Sequence, residues 1–263
     1  MMYNYFSKIM LAFRFSSTLK TFFKLIINSK KYSYNYKRNS LHGKADKLDT
    51  YLFKVHNKTF TLFMRTYTGD INIFYEIFWK NVYFIPFEFR TNIKNIVDLG
   101  AHIGLTSIYY SLIYPNAKIY SVEASIGNFQ LLKQNLENSE NVELIHSAIY
   151  SFDGEVKFDN SGLTYNHKIS ASGDSIPSIS IKTLMNKYNI DKIDLLKIDI
   201  EGSEQFLLSQ NNEWLAKVEN IIIEIHPPYD ISYLIEDIKP YVFTVYEPNI
   251  KGLKNIFATR QLC

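Results

Sequence analysis

Cysteine is almost absent from this 263-residue chain: Cys263 is the only one. No disulfide can form within the chain, and nothing points to an oxidising compartment. Long apolar runs are missing too. The run 9–13 stops at Arg14 and the run 25–27 is shorter still, against the roughly 20 apolar residues a membrane-spanning helix needs. The same shortness argues against a secretory leader, so the expected location is cytoplasmic. Acidic residues are missing from one region. Residues 1–40 hold eight Lys and Arg and no Asp or Glu, whereas the remainder holds 21 basic against 26 acidic residues. A basic arm therefore precedes a mildly acidic body. Such an arm suits a solvated pair of helices, or contact with anionic lipid at the inner face of the membrane or with an acidic glycan carrier. A last absence is local: no Lys or Arg lies between Asp98 and Tyr114.

What remains is an ordinary globular composition, 46% hydrophobic and 21% charged, long enough for one α/β core with an appendage but not for two full domains. Three segments are expected: a basic helical arm over 1–50, a β-hairpin and connector over 51–92, and the main domain over 93–263. In the arm, Phe6, Ile9, Met10 and Phe13 share one helical face; after Ser16-Ser17-Thr18 the face shifts to Leu19, Phe22, Phe23 and Ile26. That phase change predicts two helices with a break between them. Residues 30–50 read as polar loop. Residues 59–66 and 71–75, β-branched and aromatic around Tyr67-Thr68-Gly69-Asp70, predict a hairpin.

From residue 93 strands and helices alternate. Strands are expected at 96–99, 118–123, 142–149, 193–200 and 218–226. Helices are expected at 105–113, 126–137, 203–208 and 229–238. Residues 155–158 form a small antiparallel addition, 159–178 a long surface loop of the kind that binds ligands, and 241–246 with 256–260 a closing hairpin around Gly252. Repeated β-α-β crossovers imply a Rossmann-like, doubly wound, mostly parallel sheet. Ligands of such sheets sit beyond the carboxyl ends of the strands. That rule selects 98–104, Glu123, 199–204 and 224–226, all rich in carboxylates or glycines.

In Val97-Asp98-Leu99-Gly100-Ala101-His102-Ile103-Gly104 the two glycines, lacking Cβ atoms, would let the turn approach a ligand, with His102 facing it. Glu123, 23 residues after Gly100 at the end of the second strand, is placed to accept hydrogen bonds from ribose hydroxyls. These features fit any adenosine-containing ligand, NAD included. Asp98 favours a sulfonium over a pyrophosphate, because no nearby cation in sequence offsets its charge. In Lys197-Ile198-Asp199-Ile200-Glu201-Gly202-Ser203-Glu204, Asp199 and Glu201 alternate in the strand sense and should share a side. They could orient or deprotonate an acceptor hydroxyl, or hold a divalent cation, although no metal is expected. The plainer alternative is that the acidic residues favour the next helix N-terminus. His226 could serve as a base or bind substrate, or be structural. Tyr114 and Lys118 mimic a dehydrogenase pair, but Pro115 between them precludes the required helix.

Together the segments 96–104, Glu123, 196–204 and Ile222-Ile223-Glu224-Ile225-His226 resemble the FkbM family of S-adenosylmethionine-dependent methyltransferases, over roughly residues 60–230. The resemblance implies a seven-stranded sheet with its last strand antiparallel and S-adenosylmethionine as cofactor. It implies O-methylation of a hydroxyl on a sugar or glycan precursor, and places Asp199 and Glu201 at the reaction centre; His226, at its strand end, is a further catalytic candidate. The cofactor set is Asp98, Gly100, Ala101, His102, Gly104, Glu123 and Ala148. His102, Ala124 and Met185 stand where the family often has Asn, Pro and Asp. Expected partners are a small-molecule or glycan acceptor and, through residues 1–40, a membrane surface, with no nucleic acid. The alternative function is a non-catalytic adenosine-binding or membrane-associated scaffold of the same fold.

Overall fold

A computed structural model describes residues 2–41, 47–55, 58–159, 168–169, 173–247 and 255–260. The Gly252 turn, Cys263 and most of the expected loop core (160–167 and 170–172) lie outside the described residues. The chain opens with α1 (Met2–Phe15) and α2 (Leu19–Lys37), then β1 (Leu48–Val55), β2 (Lys58–Arg65) and α3 (Asp70–Phe78). The alternating region follows as β3 (Asn95–Leu99), α4 (Leu105–Ile113), β4 (Lys118–Glu123), α5 (Ile126–Leu136) and β5 (Val142–His146). Next come β6 (Ala148–Ile149), β7 (Gly154–Asp159), β8 (Lys168–Ile169), β9 (Asp174–Ile179), α6 (Ile181–Lys187) and β10 (Ile193–Ile198). The chain ends with α7 (Glu204–Leu208), β11 (Val218–Glu224), α8 (Ile231–Ile238), β12 (Phe243–Tyr246) and β13 (Asn255–Arg260).

Seven strands form the main sheet in the order β12-β13-β11-β10-β3-β4-β5. From β5 to β11 all pairings are parallel, and β13 runs antiparallel to both its neighbours. The chain starts in the middle at β3, winds outward to β5, then returns to β10 on the other side. The switch point therefore falls between β3 and β10, where a crevice opens at the strand ends. Central strands are buried on both faces and read as nearly continuous apolar runs; β10 is buried at every position.

Alternation along the strands divides the core in two. Ile96, Ile119, Leu195 and Ile222 point to one face, with α4, α5 and side chains of α1–α3 and the β1–β2 hairpin. Val97, Val122, Leu196 and Ile223 point to the other, with α6, α7 and α8. The N-terminal segment is thus one layer of the sheet's cover. Ser17 N–H donates to Leu52 O (2.9 Å), and Asn28 Nδ2 donates to Asp49 Oδ2 (2.9 Å) and Tyr51 Oη (2.8 Å).

Several expectations need correction. The break between α1 and α2 falls at the serine cluster, where Thr18 caps α2 by accepting from Thr21 N–H. But α2 continues through 30–37, because Leu25, Asn28, Tyr32 and Asn35 maintain a buried stripe in which Asn replaces apolar residues. The hairpin pairs β1 with β2, Tyr51 opposite Leu62, rather than 59–66 with 71–75. Residues 71–75 belong to α3, whose buried Ile71, Phe74, Tyr75, Ile77 and Phe78 have helical spacing. The expected strand 142–149 is divided at Ser147: β5 stays in the main sheet while β6 joins a four-stranded sheet, order β6-β9-β7-β8. The expected 159–178 loop contributes β8 and β9 to that sheet, and β7 pairs with β9 antiparallel as foreseen for 155–158. The closing hairpin is observed as β12–β13.

Both turn glycines have left-handed backbones, Gly100 at φ +74° and Gly104 at φ +90°. A Cβ on Gly100 would sit 1.8 Å from Asp199 O, and one on Gly104 2.8 Å from Leu132 Cδ1 and 2.9 Å from Leu136 Cδ1. Glycine is required at both places by the protein's own packing, with no ligand involved. For Gly104→Ala, the left-handed backbone and forced repacking of α5 should together cost about 2–4 kcal/mol. Urea denaturation measures this; a loss below about 0.5 kcal/mol would contradict the packing argument.

Candidate active site

Two adjacent strands carry opposite charges into the core. Asp98 and Lys197 are register partners across β3 and β10, and both are buried. Lys197 Nζ lies 3.3 Å from Asp98 Oδ1 and 3.7 Å from Asp199 Oδ2. It also donates to Leu99 O (3.0 Å) and Gly100 O (2.7 Å). Burial alone would drive the proton off this lysine, but Asp98 and Asp199 outweigh burial and raise its pKa above the ordinary value. Asp98 Oδ2 accepts from Ser107 Oγ at 2.6 Å, and Ser107 in turn meets Ser121 Oγ at 2.7 Å. A charged residue in the middle of a buried strand requires such partners.

This overturns one step of the sequence reasoning. Asp98 is not an uncompensated charge facing a ligand: Lys197 supplies the cation missing from 98–114, and Asp98 does not border the cavity. Gly104 does not border it either. The cavity, about 490 Å³, opens at the strand ends and brings together Gly100, Ala101, His102, Glu123, Ala148, Asp199, Glu201 and His226. Of the ten expected site residues, only Asp98 and Gly104 are left out. Phe158 of β7 and Ile169 of β8 also line it, so the segment expected as a binding loop contributes through the strand residue Ile169 and the antiparallel addition through Phe158. Met185, on the buried face of α6, packs into the core away from the cavity, so its lack of a polar group removes no contact there.

Glu123, at the end of β4, is held by backbone. Its Oε2 accepts from His102 N–H (2.8 Å) and its Oε1 from Ser125 N–H (2.9 Å). Burial raises its pKa, against the lowering effect of these N–H donors. Asn128 Nδ2 also approaches Oε1, at 3.5 Å, which leaves Oε2 with a lone pair for a further donor.

Behind this turn stands a buried pair missed in the sequence. Arg65 grips Asp70 in two parallel bonds, Nε to Oδ2 and Nη2 to Oδ1, each 2.9 Å. The same Nη2 donates to Asn128 Oδ1 at 2.9 Å, and His102 Nε2 lies 3.6 Å from Asp70 Oδ1. Asn135 Nδ2 donates to Ile103 O (2.8 Å) and Phe63 O (3.1 Å), tying the hairpin to the turn. Tyr83, also missed, donates its hydroxyl to Asp199 Oδ2 at 2.7 Å. None of these had a local signal. Lys197 did, as the one basic residue inside the apolar strand β10.

Asp199 and Glu201 both border the cavity, but not through strand alternation. β10 ends at Ile198, and Glu201 occupies a left-handed turn at φ +51°. Asp199 Oδ1 is buried with no hydrogen-bond partner among the described residues. His226 follows the end of β11. Its Nδ1 lies 2.9 Å from Oε1 of the buried Glu204, and its Nε2 3.4 Å from Glu201 Oε2 and 3.8 Å from Glu224 Oε1. Burial works against its charge, but the Glu204 hydrogen bond and the carboxylates prevail and raise its pKa to about 9. Burial, then the Asp199 charge, pushes Glu201 up to about 8. Ligand atoms of Asp199, Glu224 and His226 lie within 4.8 Å of one another, close enough for a cation; a protonated His226 would have to give up its proton first.

The methyltransferase FkbM domain matches residues 98–245, more than half of the chain. Among characterised proteins, the hexuronic acid methyltransferase AglP of Haloferax volcanii is 27% identical, over 54% of this chain and 61% of its own. Methyltransferase sdnD of Sordaria araneosa is 26% identical, over 54% of this chain and 70% of its own. The chain thus spans about three-fifths of the length of the first of these. A methyltransferase FkbM from Methylobacillus flagellatus superposes with a TM-score of 0.48 at 16% identity, over 63% of this chain and 43% of that one.

Lys197→Met would leave the buried Asp98 without its cation, beside Asp199 at the cavity, and should destabilise the protein by about 3–5 kcal/mol. Chemical denaturation tests this; a neutral effect would mean that the buried charges are solvated in another way.

Proposed function

The chain belongs to the FkbM family of S-adenosylmethionine-dependent methyltransferases, and from that premise we propose that it methylates a hydroxyl oxygen on a sugar or glycan precursor. The observation that carries this reading is the meeting of two unlike ends in one cavity. Glu123, His102, Ala101 and Ala148 form one, and Asp199, Glu201 and His226 the other. The first suits the cofactor. Glu123 keeps a lone pair on Oε2 for a ribose hydroxyl, and its hydrogen-bond donors are two backbone N–H groups and the Asn128 amide. The carboxylate-rich lining also agrees with a cationic cofactor that bears no phosphate.

S-adenosylmethionine, when bound, supplies an electrophilic methyl group on a sulfonium sulfur. The chain's own work is then to position an acceptor oxygen and dispose of its proton. The unpartnered Asp199 Oδ1 is the group to receive the acceptor's hydroxyl hydrogen bond, with Tyr83 fixing the other oxygen of the carboxylate. Glu201 is the group to take the proton, since a base with a pKa of about 8 both ionises and rebinds protons near neutrality. His226, protonated below about 9, acts as the counter-charge that holds Glu201 rather than as the base. We read Asp199, Glu224 and His226 as an ion-paired group instead of a metal site. The hexuronic acid acceptor of the Haloferax relative supports a sugar as substrate class.

Isothermal titration should show S-adenosylmethionine binding that Glu123→Ala weakens by at least about tenfold, the effect of about 1.4 kcal/mol in lost hydrogen bonding. Unchanged affinity would sink the ribose assignment. The rate of methyl transfer to a sugar acceptor should climb as Glu201 loses its proton through about pH 8 and fall as His226 loses its own through about 9. These are macroscopic values of a coupled pair. Glu201→Gln should abolish the rising limb and lower kcat by about a hundredfold. A wild-type rate flat between pH 6 and 8 would remove Glu201 from the proton path.

A further inference from the structure

The N-terminal helices bury one face and leave the other bare. On the inner side, Ala12, Thr21, Leu25, Asn28 and Tyr32 are buried against the hairpin and α3. On the outer side, Phe6, Met10, Phe13, Leu19, Phe23 and Ile27 are each between 50% and 66% exposed. Phe6, Met10 and Phe13 fall one turn apart along α1, and Leu19, Phe23 and Ile27 one turn apart along α2. The two rows are continuous. The Phe13 ring meets Phe22 edge-on at 5.8 Å, and Phe22 meets Phe23 at 5.1 Å. A soluble surface seldom carries so many large apolar side chains together unless something covers them.

The charge around this face identifies the cover. Arg14, Lys20, Lys30, Lys31 and Lys37 are exposed on the same two helices, and residues 1–40 contain no acidic side chain. A second copy of the face would bring like charges together. A bilayer with anionic head groups instead satisfies both features: rings and aliphatic chains enter the acyl boundary while Lys and Arg reach the phosphates. No helix among the described residues is long and apolar enough to cross a membrane, so contact of this kind lies along the surface. We propose that the outer face of α1 and α2 docks the protein peripherally on an anionic lipid bilayer. Tyr36, in the last turn of α2, lines the cavity, so the helix that meets the lipid also reaches the site.

The test is co-sedimentation of the full chain with phosphatidylcholine vesicles, with and without phosphatidylglycerol. Binding is expected only with phosphatidylglycerol, weakening at least about tenfold when several lysine contacts are screened by high salt. The triple variant Phe6→Ser/Phe13→Ser/Phe23→Ser should lose binding by a similar factor, and so should Lys20→Gln/Lys30→Gln/Lys31→Gln. Both variants should keep the wild-type circular dichroism spectrum and S-adenosylmethionine affinity. If a variant misfolds, the salt and lipid dependence of the wild type still decides the matter. Equal binding to both vesicle types, or none to either, overturns the proposal. So does a wild-type dimer by analytical ultracentrifugation that the phenylalanine variant dissociates, because the face would then be covered by another copy.

Discussion

The ammonium group of Lys197 sits at the switch point of the main sheet, between the carboxylates of Asp98 and Asp199 and under the carbonyls of Leu99 and Gly100. Removing such a group from water is costly, and only the full set of partners offsets it. Each partner lies on a segment whose path matters. The Leu99 and Gly100 carbonyls belong to the turn that leaves β3, and Asp199 opens the segment that leaves β10. Holding all of them to one nitrogen sets the distance between the two turns, and hence the mouth of the cavity. Close approach of Gly100 to Asp199 O follows from this. So does the burial of Asp98, which turns a residue expected at the ligand into a support for the strand pair.

The part of the chain before the family match is built into the same structure. The β1–β2 hairpin and α3 cover the sheet face from which Asp98 and Lys197 project. Arg65 and Asp70 brace the turn through Asn128 and His102, and Tyr83 reaches Asp199. Two layers of support therefore converge on the two ends of the cavity. The buried Arg65–Asp70 pair carries planar, bidentate geometry that a lysine could not reproduce.

The two ends differ in how their charge is managed. Glu123 is held by two backbone N–H donors and the Asn128 amide, which stiffen it without neutralising it. Glu201, Glu204 and Glu224 crowd one imidazole, so that His226 keeps its proton and Glu201 tends to keep one too. Raised pKa values on both Glu201 and His226 follow from burial and from crowding negative groups around a single positive one.

Patterns local in sequence were legible without the structure. These include the alternation of strands and helices from residue 93, the turn at 98–104, the place of Glu123 at the end of the second strand, the cluster at 199–204 and the serine break between the first two helices. They depend on periodicity and on residues whose chemistry constrains their immediate neighbours. The hairpin partner of β2 was misassigned because β-branched and aromatic residues in 71–75 suit a strand as well as the short buried helix they form. The extent of α2 was hidden by asparagines standing in an otherwise apolar stripe. Which charges meet was decided only in three dimensions. Lys197 finds Asp98 across 99 residues of chain through strand register, and Arg65 finds Asn128 through packing of a hairpin on a helix. No spacing rule in one dimension encodes such pairings, because the parallel sheet closes them over long and variable crossovers.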